Sequence, residues 1–418
     1  MDLKIKNAAI IAVGDEVLCG DVVNTNAAYV ASKLESSGIR CAYQCVIPDG
    51  YAPVRQQVDF CKDNFDLIVT IGGLGPTEDD LTKEAVADAL GLELKKDEES
   101  ERLIHEFFKT RSFIETPNNL KQGEIPEGAE PLKNNVGTAP GVYLEFGRNI
   151  YVLLPGPPGE LIPMFDEVLS RKLAPKAEFG YSEKHYLLWG MGESNIEQAL
   201  RDNIQTSEKY TLNTYAGTGS VRLKATAFAE NKTMADALIA EKDKEIKQLF
   251  SELLLCEENA DICKVAAKLL LEKNITVSSA ESCTGGLLAS KLTEISGISK
   301  VFPGSAVTYC DEVKMKVLGV KKATLDAHTA VSRETAAEMA EGVRNYFGTD
   351  VGIGITGYAG PGGGDDGTPV GQVYIGICFK GKTEVIGKIY KGSRNAVRER
   401  SVNDAFALLL KYLKDIDI

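Results

Sequence analysis

The sequence predicts an α/β protein: two separate three-layer α/β domains joined by a small α+β module. Three observations carry that reading. Short β-branched runs alternate with helical stretches from residue 7 to about 170, the same alternation resumes at Ala260, and between them the pattern changes to an alternating run followed by one long charged helix. At 418 residues the chain exceeds what one core usually supports. The boundaries fall at 1–172, 173–256 and 257–418.

In the first segment "AAIIAVG", "AAYVASKLESSG", "CAYQCVIPD", "VRQQVDFCKD", "DLIVTIGG" and "LTKEAVADALG" read as βαβ units around a parallel sheet. "NIYVLLPGPPGELIPMFDEVLS" adds a late strand, a Pro/Gly turn and a closing helix. The middle segment holds "HYLLWGMGES", the helix "NIEQALRDNI", the alternating "VRLKATAFAE" and the helix "MADALIAEKDKEIKQLFSEL". It carries the only tryptophan, Trp189, and no catalytic cluster. The last segment reads as helix "ADICKVAAKLLLEK", strand "NITVSSA", a helix from about Thr284, strand-like "SAVTYC", and the helix "SRETAAEMAEGVRNYFG" capped by Ser332. Strands "VGIGIT" and "VGQVYIGIC" and a final helix from about Asn395 complete it.

Composition narrows the function. A hydrophobic fraction of 44% and a charged fraction of 26% are ordinary for soluble proteins, and no apolar run approaches the roughly 20 residues a membrane span needs. "MDLKIKNAAIIAVGDE" reads as a strand rather than a secretory signal, so a cytoplasmic protein without a membrane partner is expected. Nine cysteines form no CxxC pair and suggest reduced thiols. A net charge of −13 disfavours a protein that neutralises phosphate backbones. Only His105, His185 and His328 are present, so a metal site would lean on carboxylates, which suits magnesium.

"AESCTGG" (280–286) places Ser282 between a strand and a helix, where free N–H groups welcome an oxyanion or phosphate. A serine nucleophile needs a base. His328, in "DAHTAVS", has no evident orienting acid; Lys314, five residues after Tyr309 in "VTYCDEVKMK", is the other candidate, the two lying within reach of one another. "GITGYAGPGGGDDGTPVG" (354–371) follows a strand, brings Gly360 and Gly362 close to a ligand, and offers the Thr356 hydroxyl. Cys283 is a rival nucleophile in principle.

"AESCTGG", "VTYCDEVK", "TGYAGPGGG", "PVGQVYIG" and "GSRNAVRERS", in that order, resemble the nicotinamide mononucleotide deamidase domain called PncC, the C-terminal part of the CinA family, over about residues 260–415. The resemblance implies Ser282 as nucleophile, Lys314 as base, and Tyr309 and Thr356 in proton transfer or oxyanion support. It implies substrate held by Thr284, Gly285, Gly286 and the glycine loop, and by an arginine, Arg394 or alternatively Arg398. No cofactor is implied for this half. The sequence departs from the family at Cys310, where Ser is common, at Thr329, where Gly is usual, and at Tyr358, where Ile is usual.

In the first segment, "IIAVGDEVLCGDVVNTN" and "VTIGGLGPTEDDLTKEAVADALG" each put acids, glycines and hydroxyls just after a strand, at the carboxyl edge where open sheets bind ligands. Asp79, Asp80 and Glu84 supply hard oxygens, and Gly72 and Gly73 supply close backbone approach, so a phosphate-plus-magnesium site is expected. With "NNVGTAPGVYLEF" and "LLPGPPGE", these motifs resemble the N-terminal domain of CinA, similar to MoaB and MogA molybdopterin-binding proteins, over about residues 5–170. That resemblance implies a metal-dependent ADP-ribose pyrophosphatase, with Asp79, Asp80 and Glu84 for metal or water activation and Asn24, Asn26, Gly72, Gly73 and Thr77 lining the ligand. Gly123 departs from the family's Ala after Gln122.

The resemblance as a whole implies a bifunctional hydrolase of pyridine-nucleotide salvage, a homodimer with a KH-like middle spacer. That module lacks a GxxG loop, so direct nucleic-acid contact is not expected. Two other readings stand beside it: a molybdopterin-binding or adenylyl-transferring protein, and a non-enzymatic accessory of competence or recombination.

Overall fold

The computed structural model describes residues 3–111 and 114–414, which pack as two compact units. The first runs to Ser182 and takes in Glu208–Tyr210 and Thr226–Ile239; the second holds Glu183–Ser207, Thr211–Ala225 and the chain from Ala240.

The first unit contains β1 (Asn7–Val13), α1 (Asp15–Leu18), α2 (Thr25–Ser36), β2 (Arg40–Ile47), α3 (Tyr51–Asn64), β3 (Leu67–Ile71), α4 (Thr82–Leu90), β4 (Leu94–Lys96), α5 (Glu98–Arg111), α6 (Pro117–Leu120), β5 (Glu124–Pro126), β6 (Glu130–Leu132), β7 (Gly141–Phe146), β8 (Asn149–Leu154) and α7 (Pro158–Val168). The main sheet has the order β2-β1-β3-β8-β7-β6. β1 shows why its sequence is a continuous apolar run: Ala8 and Ile10 pack with Val30 and Leu34 of α2 and Phe165 of α7, while Ala9 and Ile11 pack with Val58 of α3 and Val86 of α4. Both faces are buried, giving the three expected layers. The sheet is mixed, however, not purely parallel as expected. β8 pairs antiparallel with β7 through a two-residue turn at Gly147 and Arg148, and Gly147 adopts the left-handed conformation that such a turn requires.

The middle segment contributes β9 (Gly180–Trp189), α8 (Glu193–Asn203), β10 (Tyr210–Ala216), β11 (Ser220–Ala229), α9 (Lys232–Leu249) and β12 (Leu254–Cys256), with the sheet order β10-β11-β9-β12. It is the small α+β module the alternation indicated, and its residues are divided between the two units.

The C-terminal part contains α10 (Ile262–Lys273), β13 (Val277–Glu281), α11 (Leu287–Thr293), β14 (Gly304–Val307), α12 (Asp311–Leu318), α13 (Lys322–His328), α14 (Arg333–Phe347), β15 (Val351–Gly357), β16 (Gln372–Phe379), β17 (Lys382–Ile389) and α15 (Arg394–Lys414). Its sheet order is β14-β13-β15-β16-β17. β13 and β15 are buried by Leu270 of α10, Leu288 of α11 and Phe406 of α15 on one face, and β13 is covered by Leu318 and Met339 on the other. Ser332 caps α14 as expected, accepting from Thr335 N at 3.1 Å. β17 was not anticipated; it forms a hairpin with β16 through Lys380 and Gly381, both at positive φ.

In both main sheets the chain order reverses beside a central strand. β1 lies between β2 and β3, and β13 between β14 and β15, so the crevice between β1 and β3 and that between β13 and β15 are topological switch points where open sheets bind ligands. Among the described residues no helix is long and apolar enough to cross a membrane.

Candidate active sites

At the C-terminal sheet, Glu281 pairs in register with Val307 of β14 and Ile355 of β15. The Thr308 N–H donates to Glu281 O at 2.8 Å, and the Ser282 N–H donates to Ile355 O at 2.9 Å. Ser282, Thr308 and Thr356 therefore stand side by side at the carboxyl edge of three neighbouring parallel strands. Ser282 is 8% exposed; Thr308 and Thr356 are fully buried.

The helix after the serine does not begin at Thr284. Gly285 and Gly286 take left-handed φ values of 59° and 91°, so residues 282–286 form a tight turn and α11 starts at Leu287. The N–H groups there already have an anion. The buried Glu281 carboxylate accepts from Gly286 N (3.0 Å) and Leu288 N (3.1 Å) through Oε2 and from Ala289 N (3.0 Å) through Oε1. A substrate phosphate resting on that helix start, as the sequence suggested, would compete with Glu281. Glu281 is the acid of "AESCTGG", and no local sequence pattern marks it for this role.

Lys314 lies in α12 and is 1% exposed. Its ammonium is directed to Asp311 Oδ1 at 3.5 Å. Tyr309 precedes α12 rather than lying on it, and no hydrogen bond joins it to Lys314. Tyr309 is 62% exposed, and its Oη accepts from Arg394 Nη2 at 2.9 Å. Arg394 Nη1 also donates to Gly360 O at 2.5 Å, so one guanidinium from the start of α15 ties the loops after β14 and β15. One turn later Arg398 donates to Thr284 O through Nε (3.2 Å) and Nη2 (2.8 Å). Both arginines thus reach the edge carrying Ser282. Gly362 has open space on its Cα, in keeping with an open loop. Thr356 Oγ1 donates to Ala330 O at 2.6 Å, leaving it able to accept only.

Two departures from the family acquire physical meaning. Thr329, with φ 67° and ψ 172°, occupies a backbone region that favours glycine, directly before the Ala330 carbonyl that holds Thr356. Cys310 occupies the N-cap of α12 without capping it. The rival thiol is disfavoured: burial pushes Cys283 up to about 12, so little thiolate exists near neutrality.

At the N-terminal sheet, Gly72 crosses β1 closely, and a Cβ there would fall 2.3 Å from Val13 O. A Cβ on Gly73 would strike the Thr82 hydroxyl, which donates to Gly72 O at 3.0 Å. Asn24 caps α2 by accepting from Ala27 N, and Asn26 donates to Gly156 O at 2.6 Å, holding the "PGPPGE" loop. These residues border the crevice between β1 and β3.

The proposed metal set does not converge. Asp79 is exposed; the Asp80 carboxylate accepts from the N–H and hydroxyl of Thr77; Glu84 Oε1 pairs with Lys121 Nζ at 2.9 Å. Among the described residues no three His, Cys, Asp or Glu side chains are placed to hold a metal ion. Two of the three carboxylates are committed elsewhere: Asp80 closes its own turn, and Glu84 has a lysine. Asp15, Glu16 and Asp80 lie near enough to Asp49 for their charges to act on it, and Asp49 also accepts from the Asp15 N–H at 2.9 Å. Burial, and then the charges of the other three, hold the Asp49 carboxyl above its ordinary range. Sequence reasoning also missed Lys121 and the buried Lys83, since "NNLKQGEIP" drew notice only for Gly123.

Comparison with known proteins covers nearly all of the chain. The model of the CinA C-terminal domain matches residues 259–413, that of the probable molybdopterin binding domain residues 9–175, and that of the damage-inducible protein CinA KH domain residues 183–254. A putative competence-damage inducible protein of Acetivibrio thermocellus is 42% identical, covering 97% of this chain and 98% of its own. One of Clostridium beijerinckii is 43% identical, covering 97% and 99%. Among solved structures, the protein CinA of Thermoplasma acidophilum is 35% identical over 40% of this chain and 97% of its own, with a TM-score of 0.38.

Proposed function

The chain belongs to the CinA family, and on that premise we propose that its C-terminal domain deamidates nicotinamide mononucleotide through an acyl-enzyme on Ser282. The observation that supports this most is the position of Ser282 at the switch point between β13 and β15, beside the Thr356 strand end and under two arginines. Ser282 Oγ attacks the carboxamide carbon while its proton passes to Lys314 Nζ, the base the family resemblance implies. Collapse of the tetrahedral adduct breaks the C–N bond, and ammonia leaves with that proton. Water then cleaves the ester, giving nicotinate mononucleotide and restoring Ser282. Arg394 and Arg398 are hydrogen-bonded to uncharged oxygens, so their charge is available to the substrate phosphate. Ammonia release by wild type and by Ser282→Ala tests the reading. Activity absent from wild type, or retained by the variant, would overturn it.

For the N-terminal domain we propose hydrolysis of a nucleotide pyrophosphate of the ADP-ribose type, giving AMP and ribose 5-phosphate. The close-approach glycines Gly72 and Gly73 at the switch point beside β1 support it. Asp79, Asp80 and Glu84 as placed do not fit a divalent cation, and no step is routed through one. The match of residues 9–175 to a probable molybdopterin binding domain favours a second reading, pterin binding at the same edge. AMP formation from ADP-ribose decides between them: its absence, with pterin binding present, would retire the hydrolase.

A further inference from the structure

Acids gather at the carboxyl edge of the N-terminal sheet. Asp15 and Glu16 follow β1, Asp80 follows β3, and the charges of all three act on Asp49, which follows β2, so an anionic substrate there needs a cation from the protein. Lys121 is the cation that touches the Gly72–Asp80 loop. Its Nζ donates to the Asp80 carbonyl at 2.8 Å and pairs with Glu84 at 2.9 Å. An ammonium has three N–H donors, and these contacts use two. The side chain is 29% exposed, so the third reaches solvent at the rim of the loop.

The backbone under Lys121 is unusually well anchored. Lys83, 3% exposed in α4, donates to Gln122 O at 2.7 Å and Lys121 O at 3.3 Å. Gln122, also buried, donates through Nε2 to Leu74 O at 3.4 Å, joining the same turn to the glycine loop. A surface lysine needs no such foundation; a lysine that must present its charge at one point does.

We propose that Lys121 receives the phosphate oxygens of the substrate at the N-terminal site, with Lys83 as the positioning residue beneath it. The proposal rests on the nucleotide-pyrophosphate reading above. When the phosphate arrives it competes with Glu84 for the ammonium, so Glu84 holds Lys121 rather than a metal ion.

The test is titration of inorganic pyrophosphate into the full chain with EDTA present. Lys121→Met should weaken binding at least tenfold, and Lys121→Arg should restore most of it. Glu84→Gln should tighten binding severalfold, a gain that misfolding cannot imitate. Unchanged affinity in Lys121→Met, weaker binding in Glu84→Gln, or no binding by wild type would each overturn the proposal. AMP release from ADP-ribose, measured in parallel, separates it from the hydrolase reading. Lys121-dependent binding without turnover retires the hydrolase alone, and turnover with an unaltered KM in Lys121→Met retires Lys121 alone.

Discussion

The Glu281 carboxylate accepts the Gly286 N–H at 3.0 Å, across the turn that carries Ser282. With Leu288 and Ala289 it forms three charge-assisted bonds inside a buried site, so the acid before the proposed nucleophile and the glycines after it are one device. Glu281→Gln keeps the shape but turns an amide N–H toward backbone donors, and should cost about 2–3 kcal/mol of stability. Deamidation should fall even at temperatures where the fold survives. A variant with unaltered thermal midpoint and turnover would show that the turn holds Ser282 without this carboxylate.

The buried, protonated state of Cys283 gives an independent check on which group attacks. Cys283→Ala should retain ammonia release within a few-fold, and iodoacetamide at pH 8 should label the exposed Cys19 and Cys310 well before Cys283. Loss of activity in Cys283→Ala with folding intact would move the chemistry to the thiol.

Arg394 links Tyr309 Oη to Gly360 O, so it both shapes the mouth of the site and presents charge there. Charged hydrogen bonds are worth about 1.5–3 kcal/mol. Arg394→Ala should therefore raise KM for nicotinamide mononucleotide by about 10- to 100-fold, with a smaller effect on kcat. Nicotinamide riboside, which lacks the phosphate, should show no comparable penalty; equal losses for both would make Arg394 a purely structural tether.

Thr329 and Cys310 are places where the chain carries avoidable cost. Thr329→Gly relieves a strained φ worth about 1–3 kcal/mol against about 1 kcal/mol of added backbone freedom, a net gain of about 1 kcal/mol. Cys310→Ser supplies the missing cap on α12 for a further gain of about 1 kcal/mol. Both should raise the thermal midpoint by a few degrees. A lower midpoint for Thr329→Gly would mean that the hydroxyl contact to Val331 N outweighs the strain.

What the sequence disclosed follows from how local each signal is. β1 was legible because burial on both faces writes an unbroken apolar run, and Ser332 because a cap acts within three residues. β17 was passed over, since "KTEVIGKI" is half-exposed and its clearest mark is Gly381 in a two-residue turn. Ser282, Thr356 and Arg394 were recognised as one set through motif order, and the strand register brings them to one edge. Asp79, Asp80 and Glu84 were grouped by adjacency in sequence, which says nothing about partners 40 residues away. Glu84 and Lys121 meet only because the "LKQG" turn folds back onto α4, a contact no local pattern encodes.

That turn also makes stability depend on pH in a defined direction. Burial pulls Lys83 down to about 8, whereas an unfolded lysine titrates near 10.4. Between those values the unfolded chain holds a proton that the folded chain has released, so this group makes stability rise with pH from about 8 to about 10.4. Below 8 the full cost of burying the charge is present. The gain across the window is up to about 3 kcal/mol. Thermal midpoints of wild type and Lys83→Met, compared at pH 7.5, 8.5 and 9.5, isolate this term because the other titrations are shared. The wild type should gain on the variant at each step, and a constant difference would mean that Lys83 keeps its proton while holding the carbonyls of Lys121 and Gln122.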